Sequence, residues 1–279
     1  MNHEENQDDP ERLPPEAERA LGAGPLRAAT DVARGVHRAS RAAGAKQPTR
    51  GEERARLERG LFKQEEAALK PWAEQNRLML ASAEFWHQHK VANDYAVQLG
   101  GEMMDGMEHS VYPDGRFWHK GNPAEMQRTW LRYFHRLALH QVLFPETALE
   151  FLGFIKSDTG KLYAVTSQLH IHAQRGATPA EVEIEMKRRG YLRISDMPDH
   201  PDYYNPTAGI MIDDLHDQNV VVLETGELVI IDPIPSLPVA EDFLPSTMTN
   251  PITGKPVGGG RLQRFKPIQS RFVPPPIWP

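Results

Sequence analysis

The chain has 279 residues, a formal net charge of −6, 39% hydrophobic residues, 24 prolines and no cysteine. That length suits one ordinary domain with extensions, and the proline count beside a modest apolar share predicts that part of it does not pack. The missing cysteines exclude a disulfide framework and a thiolate zinc site, the acidic balance gives no reason to expect nucleic-acid binding, and no apolar run approaches the roughly 18 residues of a membrane span.

The acidic start, Met1 to Asp9, lacks the basic and then apolar pattern of a secretory leader, so a cytoplasmic setting is expected. Residues 1–50 hold no Phe, Trp or Tyr and balance eight acidic against eight basic residues. Such a stretch buries too little surface to offset its ordering entropy, and a disordered linker is expected there. From Glu52, Leu57, Leu61, Phe62, Ala68, Leu69 and Trp72 recur at helical spacing. Pro71 is expected to break that helix, and a second helical piece covers about 73–89, so residues 51–94 form a helical extension.

Strands are predicted over 91–121. Tyr95, Val97 and Leu99 alternate into Gly100-Gly101, and Gly106 precedes His109 to Tyr112. A Pro113-Asp114-Gly115 turn then leads into Arg116 to Lys120, a hairpin signal with a mechanism. Period-two alternation puts Arg116, Trp118 and Lys120 on one face; taken alone, such a lysine is a snorkelling surface residue. Asn122-Pro123 predicts the start of a helix running to about Leu143. Strands follow over 149–155 and 161–172, then a helix over 179–189 stopped by Gly190. His170 and His172 share a strand face with no third ligand nearby in sequence, and are expected in an edge strand or loop. Residues 245–279 carry five Lys and Arg and no acid; this Pro-rich basic tail is expected to be extended, wrapped on the domain or recruited by a partner.

The most informative stretch is Met211 to Asp232. A polar loop holding Asp214 and Asn219 precedes the apolar run Val220 to Leu223, a turn at Glu224 to Glu227, and a second run, Leu228 to Ile231, that ends on Asp232. Two β-rich runs joined by a Gly-containing turn predict a hairpin. Antiparallel pairing brings Asn219 beside Asp232, and these oxygen-bearing groups, with Asp214 five residues upstream, suit a hard divalent cation.

Asp214-Leu-x-x-x-Asn219, followed thirteen residues later by Asp232, resembles the catalytic core of the protein-kinase-like superfamily. The wording Asp-Leu-His-Asp-x-Asn-Val, then Gly-x-x-x-x-Ile-Asp-Pro, is similar to the kinase-like domains of bacterial and phage polyvalent proteins. Leu139-His140-x-x-Leu-Phe144-Pro145-Glu-Thr147 and Gly153-Phe154 strengthen that resemblance, which covers about residues 95–240. It implies an α+β class: a compact, two-lobed protein-kinase-like fold with a disordered N-terminal region, an N-lobe-like half over 95–172 and a reduced C-lobe over 173–244.

It also implies an ATP- and Mg²⁺-dependent phosphotransferase acting on a protein hydroxyl. Asp214 would be the catalytic base, Asn219 and Asp232 the metal ligands, and Lys120 the phosphate contact. The segment 165–169, with Gln168, would be the adenine-binding hinge, and Gly106 part of the phosphate-covering loop. The departures are specific. The glycine loop is loose, Ile212 replaces a histidine, Pro233-Ile234 follows the metal Asp, and the best-placed partners for Lys120 are Glu125, Glu102 and Glu108. Only 47 residues follow Asp232, so the substrate platform is expected to be reduced or supplied by a partner. The alternative reading is a pseudokinase or interaction module that uses the fold and tail to bind a partner. A third takes Asp213, Asp214, His216 and Asp217 as a metal-hydrolase cluster.

Overall fold

Two helices open the described chain, α1 (Pro15–Ala20) and α2 (Pro25–Ala42). The computed structural model describes residues 12–43, 51–98, 110–195, 201–216 and 218–237. These fall into two compact units, one spanning Pro15–His172 and the other built from Ala173 onward.

Both helices lie in the stretch expected to be disordered. The apolar stripe on α2 is narrow and made of small residues, with Leu26, Ala29 and Ala33 all buried. Small side chains let the helix backbone come close to its neighbours, so a stripe too slight to signal burial by size still packs. Glu18 of α1 ties the pair together through ion pairs to Arg27 and Arg34 of α2.

The next helix, α3 (Gly51–Gln75), runs through Pro71 without breaking. Proline costs a helix one hydrogen bond and a clash with the preceding turn. Here Leu69 and Ala73, on either side, are fully buried, and their packing holds the last turn. Helix α4 (Ser82–Gln98) continues across the Tyr95/Val97 alternation that suggested a strand. Three alternating residues are too few to outweigh helix propagation, which the Lys90–Asp94 pair at 2.5 Å, one turn apart, supports.

Four antiparallel strands follow: β1 (Ser110–Pro113), β2 (Phe117–Asn122), β3 (Glu150–Lys156) and β4 (Leu162–Leu169), in the order β1-β2-β4-β3. The predicted Pro-Asp-Gly turn joins the first two, with the Asp114 carboxylate accepting from Phe117 N at 2.8 Å. Between β2 and β3 lies α5 (Trp130–Leu143). Its cap comes seven residues after the expected cap, Asn122, which instead ends β2 and accepts from Ala124 N. Positive φ at Ala124 and Arg128 keeps the intervening chain from being helical, and Thr129 caps the helix by accepting from Arg132 N.

The register assigns each sheet face a helix. Lys120 lies opposite Thr166, and Thr166 opposite Phe151. Phe151 and Phe154 meet Phe134 and Trp130 of α5 at ring distances of 5.7–6.3 Å, so α5 covers the face that carries Lys120. On the other face, Phe85 and Trp86 of α4 pack with Tyr112, Ile155, Tyr163 and Val165.

The second unit opens with β5 (Arg175–Gly176), α6 (Pro179–Arg188), β6 (Leu192–Arg193), β7 (Tyr203–Asn205) and β8 (Ile210–Asp213). It ends with β9 (Val220–Val222), β10 (Leu228–Ile230) and β11 (Ile234–Ser236). The predicted Val220–Ile231 hairpin is present as β9-β10 and continues into β5; a second sheet has the order β11-β8-β7-β6. Thr178 and Glu181 form a reciprocal capping box on α6.

Arg175, then the Thr178 backbone and hydroxyl, hold the Glu181 carboxyl down to about 2. A depressed carboxyl stabilises the fold above its ordinary value of 4.5 and loses that contribution as pH falls toward about 2. Titration of the Glu181 side chain by carbon-detected NMR is therefore expected to show a midpoint near 2. Arg175→Ala is expected to return it toward 4.5. A parent midpoint already at 4.5 contradicts the cap geometry.

Candidate functional site

In the second unit, two short crossings run between the same two sheets. Residues 214–219 lead from β8 to β9, and 231–233 lead from β10 to β11. Both ends are fixed by pairing: Asp213 lies opposite Ile234 in one sheet, and Val220 opposite Ile230 in the other. Ile231 N then donates to Asn219 O at 2.7 Å, continuing the ladder one step into the crossings. The topology thus places Asp214, Asn219 and Asp232 on adjoining segments, as the hairpin reading expected.

Within this loop Leu215 is buried and anchors the chain. Asp214 takes φ +65°, a left-handed conformation that Asp and Asn adopt more readily than most residues. It persists because Asn219 clamps it: Nδ2 donates to the Asp214 carbonyl at 2.8 Å and to its Oδ2 at 2.9 Å. Both bonds use the amide nitrogen, so Oδ1 is the atom with which Asn219 would hold a cation. His216 accepts from Gln218 N through Nδ1 at 3.2 Å, which puts the imidazole proton on Nε2, 3.5 Å from Asp214 Oδ1. Oδ1 of Asp232 is shielded from solvent.

An amide oxygen and a carboxylate are the hard donors that Mg²⁺ takes, in small number, when phosphate oxygens and water complete its shell. Among the described residues no three of His, Asp and Glu converge as a self-sufficient metal cage. Asp217, the fourth member of the cluster read as a metal-hydrolase site, lies outside the described residues.

The remaining predicted residues belong to the first unit. Lys120 is 7% exposed, in the middle of the sheet between Val111 and Thr166. Taken alone it was expected at the surface; it is buried instead, on the sheet face against which α5 packs. Gln168 is 2% exposed, and its Nε2 donates to the Thr147 carbonyl at 2.8 Å. His170 N donates to Arg116 O. Alternation of hydrogen-bonded pairs then commits the backbone of Gln168 to Trp118 and turns that of Leu169 away from β2. Gln168 therefore contributes a wall, and the outward-facing backbone belongs to its neighbour. Gly106, with Gly100, Gly101, Glu102 and Glu108, lies outside the described residues, as does the tail 245–279. Glu125 is more than half exposed and pairs with Lys161 at 2.8 Å. The rings of His170 and His172 lie 4.5 Å apart, with Trp118 edge-on to His170 at 5.5 Å.

Sequence reasoning missed Glu65, which is fully buried on α3 and accepts from the first backbone N–H groups of α5. The signal was present, since Leu61, Glu65 and Leu69 are spaced four apart and place the glutamate inside the apolar stripe. No helix among the described residues is long and apolar enough to cross a membrane.

The family model of the serine/threonine/tyrosine kinase found in polyvalent proteins matches residues 63–238. No curated protein and no solved structure matches the chain. The match takes in α4, α5, both strands around Lys120 and the whole Asp214–Asp232 arrangement. With the mixed helix-and-sheet architecture, it shows that the chain belongs to the serine/threonine/tyrosine kinase family found in polyvalent proteins.

Proposed function

We propose that this chain transfers the γ-phosphoryl group of ATP, with Mg²⁺, to a hydroxyl, a protein side chain being the expected acceptor. The observation that carries the proposal is the Asn219 clamp on Asp214, which fixes a carboxylate where adjoining strand ends also bring Asp232. Asp214 accepts the proton of the attacking hydroxyl as the new oxygen–phosphorus bond forms, and ADP departs with the bridging oxygen and its electron pair. His216 Nε2 lies 3.5 Å from Asp214 Oδ1, beside the carboxylate. Asn219 Oδ1 and the Asp232 carboxylate would hold Mg²⁺, which when bound neutralises charge on the phosphate oxygens. Lys120 contacts the phosphates, Leu169 presents backbone groups to the adenine edge beside Gln168, and Gly106 belongs to the loop over the phosphates.

One observation favours the pseudokinase reading: α5 contains no acidic residue, so no glutamate from that helix can pair with Lys120. Transfer of radiolabelled phosphate from γ-labelled ATP to protein, run beside nucleotide protection against thermal unfolding with and without Mg²⁺, separates the two readings. Phosphoprotein together with Mg²⁺-dependent protection supports phosphotransfer; protection without transfer supports the pseudokinase. Asp232→Ala is expected to abolish the Mg²⁺-dependent increment of protection, and an unchanged increment overturns the metal assignment.

A further inference from the structure

We propose that Glu65 and His37 are positioning residues for phosphoryl transfer, which makes kinase competence depend on α2, a helix that precedes the family-matched stretch. The proposal rests on the phosphate role given to Lys120 above. Glu65 is 0% exposed, and its carboxylate meets three donors from two other elements. Trp130 N reaches Oε2 at 2.8 Å, Leu131 N reaches Oε1 at 3.0 Å, and His37 Nε2 of α2 lies 3.0 Å from Oε1. A carboxylate only accepts, so the imidazole donates from Nε2. Helix α5 has no acid in its own first turn; Glu65 supplies from outside the negative charge its N-terminal N–H groups favour. A second tether runs in parallel, with Glu58 of α3 paired to Arg132 of α5 at 3.1 Å.

These contacts fix the position of α5, and α5 covers the sheet face carrying Lys120. Phe134 packs on Phe151, which is in register with Thr166 and, across it, with Lys120. A shift of α5 therefore displaces the wall beside the lysine. Positioning errors near one ångström are enough to slow a reaction that depends on alignment. The matched stretch starts at residue 63, so Glu65 lies inside it and His37 comes from sequence ahead of it.

The test uses full-length variants at a temperature where each is folded: His37→Ala, His37→Gln, Glu65→Gln, and Leu69→Ala as a destabilised control that leaves the carboxylate in place. His37→Ala is expected to lower kcat by about 10- to 100-fold with the KM for ATP little changed. His37→Gln, which keeps a side-chain donor, is expected to recover most of the loss, and Leu69→Ala to stay near the parent. Amide exchange at Trp130 and Leu131 should quicken in His37→Ala and not in Leu69→Ala. A kcat loss no larger than that of Leu69→Ala, no rescue by glutamine, or unchanged exchange overturns the proposal. Where His37→Ala does not fold, Glu65→Gln takes its place in both arms. An inactive parent sinks the phosphotransfer reading instead, and the exchange arm still decides whether α2 holds α5.

Discussion

Asp214→Asn is expected to lower phosphoryl transfer by about 10²- to 10⁴-fold, the range a positioned general base supplies, while protection by ATP·Mg²⁺ stays near the parent's. The substitution isolates the charge. Asparagine tolerates the left-handed φ of +65° that residue 214 adopts, and its amide oxygen can still accept from Asn219 Nδ2, now 2.9 Å from Oδ2. What is lost is the carboxylate that takes the proton. Asp214→Ala is a poorer test, because alanine at positive φ adds strain of about 1 kcal/mol or more and leaves the Asn219 amide without its side-chain acceptor. Transfer by Asp214→Asn at the parent's rate would remove Asp214 from the chemistry, whatever its effect on folding.

The residues around Asp214 were legible in the sequence because local signals agreed: polar loop, apolar run, turn, apolar run, aspartate. Pairing within a hairpin is set by neighbouring residues, and so β9 and β10 could be anticipated. That β8 and β11 form a second pair, making the Asp214 and Asp232 segments twin crossings between sheets, could not. Strands of three and four residues carry almost no periodicity, and their partners are distant in sequence. The same limit explains the misplaced start of α5: Asn122-Pro123 is a good helix start by local rule, yet β2 needs Asn122 in its ladder with β4.

Helices α1 and α2 were missed for another reason. Their burial is carried by alanine, and the stretch looked too poor in large apolar residues to fold. A prior built on side-chain size discounts a helix that gains its contacts by close backbone approach. Glu65 is the converse case, a buried charged residue that a pattern read from large apolar residues passes over. The register of Leu61 and Leu69 pointed inward, and the backbone N–H groups of α5 that satisfy its carboxylate are 65 and 66 residues away in sequence.

Gly153→Ala is expected to be among the most destabilising single-methyl additions in the first unit, by about 3 kcal/mol or more once backbone strain and overpacking are combined. Gly153 has φ +146°, and a Cβ built there would sit 2.4 Å from the Leu78 carbonyl oxygen. That oxygen cannot retreat, since it accepts from Phe154 N at 2.8 Å while Leu80 N donates back to Phe154 O at 2.7 Å. The Leu78–Leu80 segment lies along the edge of β3 through these bonds, and the bulge between Phe151 and Gly153 makes room for it. Gly160→Ala is the control, also at positive φ, +78°, but with open space around the added methyl; it carries only a left-handed backbone cost of about 1 kcal/mol. At about 2–4 °C per kcal/mol for a domain of this size, thermal unfolding should place Gly153→Ala about 4–8 °C or more below Gly160→Ala. Equal midpoints would mean that the Leu78 strap yields at little cost. In that case it does not fix the corner between α3 and α4, and the placement of Glu65 must rest on the helix contacts of α2 and α5 alone.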